Sequence, residues 1–240
     1  MTATERLSPR RYSMLDVDQA PQSPGLYAWY VGFLAGPHDW RTDPGPDGDM
    51  AVGGFLRLLT RYASHFEPLP IALRSSGSYG SVWQGSLERD APLGDAEDKS
   101  QGLELEDKRL DQLMDSLGNE DRRRAISEIL AMAAPVFSTP LYIGVATDLR
   151  ERLCVHRRDF GRAYEWLRDH PDDRDRLRLE AKNFGSRAAA RNITMDRLEA
   201  WVIDVGEGSD NEFSTQKLRQ IAQTAEWLLN RFHTPILGRQ

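Results

Sequence analysis

The sequence predicts an α/β protein in which a small three-stranded antiparallel sheet is flanked by helices and carries a mostly helical inserted subdomain. Three short runs rich in aromatic and β-branched residues, 25–32, 140–145 and 198–205, have the length and composition of strands. Elsewhere, apolar residues recur every three to four positions, which is typical of amphipathic helices. The long separation between the first two strands implies that residues 33–139 leave the core and return to it.

The elements before the second strand are predicted from local signals. Residues 1–23, with scattered prolines and charges, indicate an irregular arm, and residues 35–49 are dense in Gly, Pro and Asp and indicate a loop. Apolar spacing over 52–66 favours a short helix, and residues 69–87 suit two short strands joined by a Gly-containing turn. Residues 88–101 are polar and predict a mobile loop.

Helices dominate the remaining stretches. Leucine spacing predicts helices over 103–117 and 124–134, the second ending before Pro135. Asp148 is a suitable N-cap for a helix that Pro171 ends or interrupts. Two further stretches read as helical, 173–191 and 215–232.

The 240 residues therefore divide into three regions. We expect 1–32 to hold the N-terminal arm and the first core strand, 33–139 to form the insertion, and 140–240 to complete the core. No apolar stretch approaches the roughly 20 residues that span a bilayer, and the N-terminus lacks the apolar core of a secretory signal. We expect a cytoplasmic protein with no membrane partner.

Charge and cysteine content narrow the function. The net charge of −6 argues against a protein held to DNA by bulk charge alone. Acidity is concentrated in residues 84–121, with 12 acidic and 4 basic side chains, whereas residues 148–191 hold 12 basic and 9 acidic ones, which permits a local basic face. The single cysteine, Cys154, excludes an intramolecular disulfide and a cysteine-built metal site.

The run PLYIGVATDLRERLCVH joins a predicted strand to a predicted helix. Arg152 and His156 are four residues apart, so they share a helical face that points back over the strand presenting Tyr142. A guanidinium can clamp a phosphoryl group through two hydrogen bonds, and an imidazole can donate a third. The alternative is a strand–turn–helix unit whose arginine and histidine are merely solvated.

Two further strings carry candidate residues. In PGLYAWYVG, strand alternation places Tyr27 and Trp29 on one face, either as plain core residues or as part of a site. In AEWLLNRFHTP, Glu226 borders the apolar stripe of the last helix, either as an ordinary boundary residue or as a metal ligand.

Together the three strings resemble the GIY-YIG nuclease family, with Gly25 and Gly144 as the motif glycines. The resemblance covers about a third of the chain, roughly 25–32, 140–160 and 198–238. It implies a GIY-YIG-like core that hydrolyses DNA phosphodiester bonds with two tyrosines, an arginine, a glutamate and a divalent metal. The long insertion and Gly238, where the family often has asparagine, depart from the pattern.

The resemblance also implies residue roles. Glu226 would bind Mg²⁺, for which Mn²⁺ is an acceptable substitute, and Arg152 would offset charge on the phosphoryl oxygens. Tyr27 would orient or deprotonate the attacking water, Tyr142 would bind the same phosphate or share that role, and His156 would assist either tyrosine.

Three arginines are candidate contacts to nucleic acid: Arg150, Arg187 and Arg191. The last two lie four residues apart in the run FGSRAAAR, which otherwise reads as a surface helix whose small residues permit close packing.

We interpret the chain as an endonuclease of restriction or phage defence, with DNA as its partner. The alternatives are a structure-specific repair or recombination nuclease and an inactive DNA- or partner-binding module on the same fold. Leucines of the insertion, such as Leu110 and Leu117, would supply a homodimer or partner interface, or simply pack in a core.

Overall fold

The computed structural model describes residues 8–42, 51–66, 71–76, 82–87, 113, 115–206, 215–233 and 235–238. Over 71–76 and 82–87 only the backbone is described. The chain forms two compact units, one made of residues 1–32 and 133–240 and the other of residues 33–132.

The described strands build two antiparallel sheets. They are β1 (Arg10–Ser13), β2 (Gly25–Val31), β3 (Ile71–Ser76), β4 (Val82–Leu87), β5 (Tyr142–Ala146) and β6 (Leu198–Asp204). The first unit holds a four-stranded sheet in the order β1-β6-β2-β5, and β3 pairs with β4 as the expected hairpin in the second unit. The α/β class is confirmed, whereas the expected number of core strands is corrected from three to four.

The extra strand, β1, lies in the stretch predicted to be an irregular arm. It is only four residues long and polar, RRYS, so it lacks the apolar alternation that identifies strands. Pairing with the neighbouring strand β6 supplies its hydrogen bonds, with Arg10 opposite Val202. A 3₁₀ helix, Met14–Gln19, follows directly and buries Met14 and Val17.

The described helices are α1 (Pro37–Thr42), α2 (Ala51–Ser64), α3 (Glu120–Phe137), α4 (Leu149–Asp169), α5 (Arg174–Glu180), α6 (Phe184–Ala190) and α7 (Thr215–Phe232). Helices α2, α4 and α7 match the predicted elements closely. No helix in the described part of the chain is both long and apolar enough to cross a membrane.

Three helix predictions are corrected. Helix α1 lies inside the expected loop 35–49, and α3 continues through Pro135 to Phe137 because a proline near a helix end removes only one interior hydrogen bond. The single helix expected over 173–191 is two helices, since Asn183 caps α6 by accepting from the Ser186 amide. The predicted helix 103–117 is described only at 113 and 115–117, which are helical, and the loop 88–101 lies outside the described residues.

Register fixes which side chains share a face of the main sheet. Burial alternates along β2, and Tyr27 pairs with Gly144 while Trp29 pairs with Tyr142. Because side chains directly opposite each other project on the same side, Tyr27, Trp29 and Tyr142 all face one side of the sheet. The expected pairing of Tyr27 with Trp29 on one face is confirmed.

Helix α4 is tied to the sheet at its N-terminus. Asp148 is its N-cap, as predicted, and accepts from the Glu151 amide. The amides of Leu149 and Arg150 donate to the carbonyls of Ser23 and Pro21, in the segment before β2. These contacts fix where the helix face that carries Arg152 and His156 stands over the sheet.

The second unit has its own apolar core, formed by Phe33, Trp40, Phe55, Leu58 and Leu117. Leu117 is fully buried in it, so the idea that this leucine supplies an interface is wrong for this residue. Its side chain packs within the unit, while Leu110 and the acidic stretch 88–112 lie outside the described residues.

Candidate functional site

Three predicted residues meet at the hydroxyl of Tyr27. The Nε of Arg152 donates to this hydroxyl at 3.2 Å, and the Nε2 of His156 lies 2.9 Å from it. The helical repeat of α4 places Arg152 and His156 one above the other, and Tyr27 reaches both from the adjacent strand. The fold thus brings together groups that lie more than a hundred positions apart in the sequence.

Burial sets the protonation of this cluster. His156 is 2% exposed, and burial, followed by the charge of Arg152, lowers its pKa from 6.5 to about 3. The imidazole is therefore neutral at physiological pH. Burial also raises the pKa of Tyr27 above its usual value, an effect that Tyr142 adds to and Arg152 only partly offsets.

These states fix the direction of the hydrogen bond between Arg152 and Tyr27. Arg152 can only donate, and the pKa of its guanidinium is raised because the hydroxyls of Tyr27 and Tyr142 outweigh the effect of burial, which lowers it. Nε2 of His156 accepts the Tyr27 proton in the tautomer with hydrogen on Nδ1 and donates to the Tyr27 oxygen in the other tautomer, so the direction of this bond depends on the tautomer. Nδ1 is buried and has no hydrogen-bond partner among the described residues.

Gly144 makes room for the two tyrosines. A Cβ at this position would lie 2.6 Å from the Tyr27 hydroxyl and 2.8 Å from Cε1 of Tyr142. The Tyr27 ring therefore lies directly over the glycine with which it pairs, and any side chain there would displace it. The backbone at Gly25 is also closely approached by its neighbours, because a Cβ there would clash with the Ile203 carbonyl and with the Leu149 side chain.

The imidazole of His156 is surrounded by aromatic rings. Trp29 stacks on Phe184 with ring centroids 5.1 Å apart, and Phe184 meets the imidazole edge-on at 5.3 Å. Helix α6 can approach this closely because residue 185 is a glycine. A Cβ at this position would lie only 2.6 Å from the His156 carbonyl oxygen. The alternative interpretation of FGSRAAAR as a close-packing helix is therefore supported for its small residues.

A cavity of about 180 Å³ opens beside this cluster. Its lining includes Tyr142, Arg152, His156, Lys182 and Arg187, so three predicted catalytic residues border it. Tyr142 is half-buried, whereas Tyr27 is 2% exposed and lies behind it. Tyr142 and Arg152 are the more exposed groups of this cluster, whereas His156 and Tyr27 are enclosed.

The three arginines predicted to contact nucleic acid are placed differently. Arg150 donates from Nε to the Ala20 carbonyl and thereby holds the N-terminal arm. Arg187 donates to the carbonyls of Ala181, Leu237 and Gly238.

The contact of Arg191 with nucleic acid stays a prediction. The residue is only 7% exposed, beside the C-terminus of α6. Asn192, in the left-handed conformation with φ 59°, ends the helix there.

Glu226 lies on α7, which packs against β5 and β2. A groove is lined by Arg152 of α4 and by Arg219 and Gln223 of α7, and Asp148 and Glu151 border it as well. Residues three apart share a helical face, so Glu226 lies one turn beyond Gln223 along the face that borders this groove. Glu226 itself is half-buried and lines neither this groove nor the cavity.

The donor set can be tested against a divalent metal. Among the described residues there is no cluster of three or more His, Cys, Asp and Glu side chains, so a metal cage built wholly by protein is not seen there. Mg²⁺ commonly uses one or two carboxylates and takes its other ligands from phosphate and water. Glu226 offers one carboxylate of this kind, although it lines neither the cavity nor the groove that Arg152 borders.

Comparison of this chain with protein-family models, with curated proteins and with solved structures finds no match in any of the three.

Sequence reasoning missed two residues of the cavity wall. Lys182 and Asn183 lie in the turn between α5 and α6, which was expected to be continuous helix. The pattern Asn183-x-x-Ser186 is a helix-start signal and would have located the break. Nothing in the sequence singles out Lys182, because its place beside Arg152 depends on how α6 packs on α4.

Proposed function

We propose that this chain is a metal-dependent endonuclease that hydrolyses DNA phosphodiester bonds. The observation that carries the proposal is the meeting of Tyr27, Tyr142, Arg152 and His156 beside one small cavity with a cationic lining. The four groups come from two sequence strings that lie more than a hundred positions apart. A purely structural cluster would not require an arginine to stand at the mouth of the cavity.

The residues of the chain have distinct tasks in this proposal. Arg152 holds the scissile phosphate and stabilises the charge that builds on its oxygens during attack. Tyr142 donates a hydrogen bond to the same phosphate, because its hydroxyl-bearing ring faces the cavity. Glu226 would hold Mg²⁺, which supplies polarisation of the phosphate and a stabilised leaving oxygen when bound.

Tyr27 takes a different role from the one first expected. Burial raises its pKa, so the neutral hydroxyl is a poor base for activating water. It accepts a hydrogen bond from Arg152 and shares one with Nε2 of His156, and so orients the guanidinium. We therefore assign Tyr27 and His156 as positioning residues and leave contact with substrate to Tyr142 and Arg152.

Incubation of supercoiled plasmid with the protein tests the proposal. Nicked or linear product should form with Mg²⁺ or Mn²⁺ and should disappear in EDTA. Arg152→Ala should lower the rate by on the order of a hundredfold or more, as loss of one transition-state donor does elsewhere. Arg158→Ala is the matched control, because Arg158 is exposed on the same helix and lines neither the cavity nor the groove.

The same assay separates the alternatives. An inactive binding module would retard DNA in a gel without cutting it under any metal, which would refute the catalytic proposal. Preference for branched over linear DNA would favour a repair or recombination nuclease. Reduced phage plating in cells that express the wild-type chain, but not Arg152→Ala, would support restriction or phage defence.

A further inference from the structure

The cavity beside Arg152 has an unusual charge balance. It lies between α4, α6 and the C-terminal segment 235–238, and three cationic side chains line it: Arg152, Lys182 and Arg187. None of its lining residues is a carboxylate. Three like charges around about 180 Å³ repel one another unless an anion joins them.

Arg187 is held rigidly in the wall of this cavity. Its Nε donates to the Ala181 carbonyl at 2.6 Å, and its Nη1 donates to the carbonyls of Leu237 and Gly238 at 3.0 and 2.8 Å. Carbonyl oxygens orient the guanidinium but carry no net charge to neutralise it. The amide of Leu237 also donates to the Leu141 carbonyl at 2.7 Å, which fixes the C-terminal segment as part of the wall.

Lys182 is the adaptable cation. It is exposed in the turn that precedes α6, and no carboxylate of the described residues pairs with it. Its side chain lines the cavity together with Asn183, whose carboxamide oxygen is occupied by the Ser186 amide. Lysine acts as a mobile point charge toward phosphate, which suits a contact that forms when a ligand arrives.

The groove on the other side of Arg152 is different. Arg219 lines it, but so do Asp148 and Glu151, and the Glu226 position continues the same face of α7. Carboxylates there disfavour a phosphate and favour a cation. Arg152 therefore stands at a boundary between a cationic cavity and a mixed groove that holds carboxylates.

We propose that the Lys182 end of the cavity binds a second phosphate of the nucleic-acid strand, next to the one that Arg152 and Tyr142 hold, and that Lys182 is its direct contact. The inference rests on the proposed function and specifies the side of Arg152 on which the strand continues. The flanking phosphate lies toward α6 and the C-terminal segment, while the carboxylate side is left for the metal. Arg187 shapes this subsite and adds charge to it.

Salt-dependent binding tests the subsite separately from cleavage. Affinity for a fluorescein-labelled duplex, and for its single strand, is measured by anisotropy in EDTA between 50 and 250 mM NaCl. The slope of log K against log salt is negative. Loss of one phosphate contact makes it shallower, by about 0.9 for duplex or about 0.7 for single strand. Lys182→Ala should show such a change and bind about five- to tenfold more weakly near 100 mM salt, as that slope implies.

Two further variants make the result specific. Lys182→Arg keeps the charge and should restore the wild-type slope within error. Arg158→Ala removes an exposed charge from α4 outside both linings and should bind with a slope closer to wild type than Lys182→Ala does. Matching thermal melting curves for all variants show that folding is unchanged.

The outcomes are distinguishable. If wild-type protein binds DNA but Lys182→Ala keeps the wild-type slope and affinity, the subsite is refuted and the proposed nuclease function stands. If wild-type protein binds neither duplex nor single strand at 50 mM salt, the proposed function fails and the subsite fails with it.

Discussion

Gly144→Ala tests whether the two motif tyrosines depend on the space above this glycine. The added Cβ would lie 2.6 Å from the Tyr27 hydroxyl oxygen, 2.8 Å from the Tyr27 Cζ and 2.8 Å from the Tyr142 Cε1. Ordinary contact begins at 3.4 Å, so both rings must move by about 0.6–0.8 Å. The Tyr27 hydroxyl would then be drawn away from Arg152 and His156.

The expected magnitude follows from two opposing effects. Overpacking a filled site destabilises by about 1–3 kcal/mol. Replacing glycine in a strand regains about 0.5–1 kcal/mol of backbone entropy. The net loss in free energy of unfolding should be about 1–2 kcal/mol, measured by urea denaturation. Because displacement of reacting groups by about 1 Å can cost about a hundredfold in rate, DNA cleavage should fall by a similar factor.

Gly161→Ala is the matched control for Gly144→Ala. Gly161 lies within α4, and a Cβ there meets nothing within 4 Å. That variant should gain about 0.5–1 kcal/mol from helix propensity and keep full activity. Adding Tyr27→Phe to Gly144→Ala removes the nearest clashing atom, so the two changes should destabilise by less than the sum of the single variants. Wild-type stability and activity in Gly144→Ala would refute the reasoning.

Three further predictions concern pH, metal and the C-terminal wall. Because the pKa of His156 is lowered to about 3 in the folded state, the unfolded chain takes up the proton first as pH falls below 6.5. Stability should therefore drop toward pH 4 by up to about 1.4 kcal/mol per pH unit relative to His156→Gln, and parallel urea midpoints from pH 7 to 4 would contradict this. Glu226→Gln should abolish metal-dependent cleavage while leaving the melting temperature and DNA binding in EDTA near wild type, and full activity at saturating Mg²⁺ would exclude its role as ligand. Arg187→Ala removes three hydrogen bonds to backbone carbonyls, two of them in the C-terminal segment 235–238. The Leu237 amide, which donates to the Leu141 carbonyl, should therefore exchange its hydrogen faster, as measured by mass spectrometry. Unchanged protection would show that the segment stays in place without Arg187.

The elements that were predictable are those specified by neighbouring residues. Helix α4 follows from Asp148 as N-cap and from apolar spacing, and β2 follows from a short aromatic run bounded by glycine. The strand β1 was not predictable, because its polar sequence becomes a strand only by pairing with β6. Pro135 misled because it lies two residues before the end of α3, where the proline rule gives only a preference.

The candidate site shows the same division. Alternation and helical spacing were enough to place Tyr27 beside Trp29 and Arg152 above His156. They gave no information on burial, and burial decides that His156 is neutral and that the Tyr27 hydroxyl is enclosed. The position of Lys182 depends on the approach of α6 to α4, a contact between distant parts of the chain.

The enclosure of Tyr27 bears on whether the cluster is built for chemistry or only for stability. Arg152 is half-buried and borders both the cavity and the groove. It donates to the Tyr27 hydroxyl, which is also hydrogen-bonded to His156. Fixing an arginine that already faces the cavity reduces the entropy lost when it binds an anion. That arrangement favours the proposed phosphate-handling site over a core contact, and it suits the proposed roles, in which the more buried Tyr27 holds the arginine and Tyr142 contacts the phosphate.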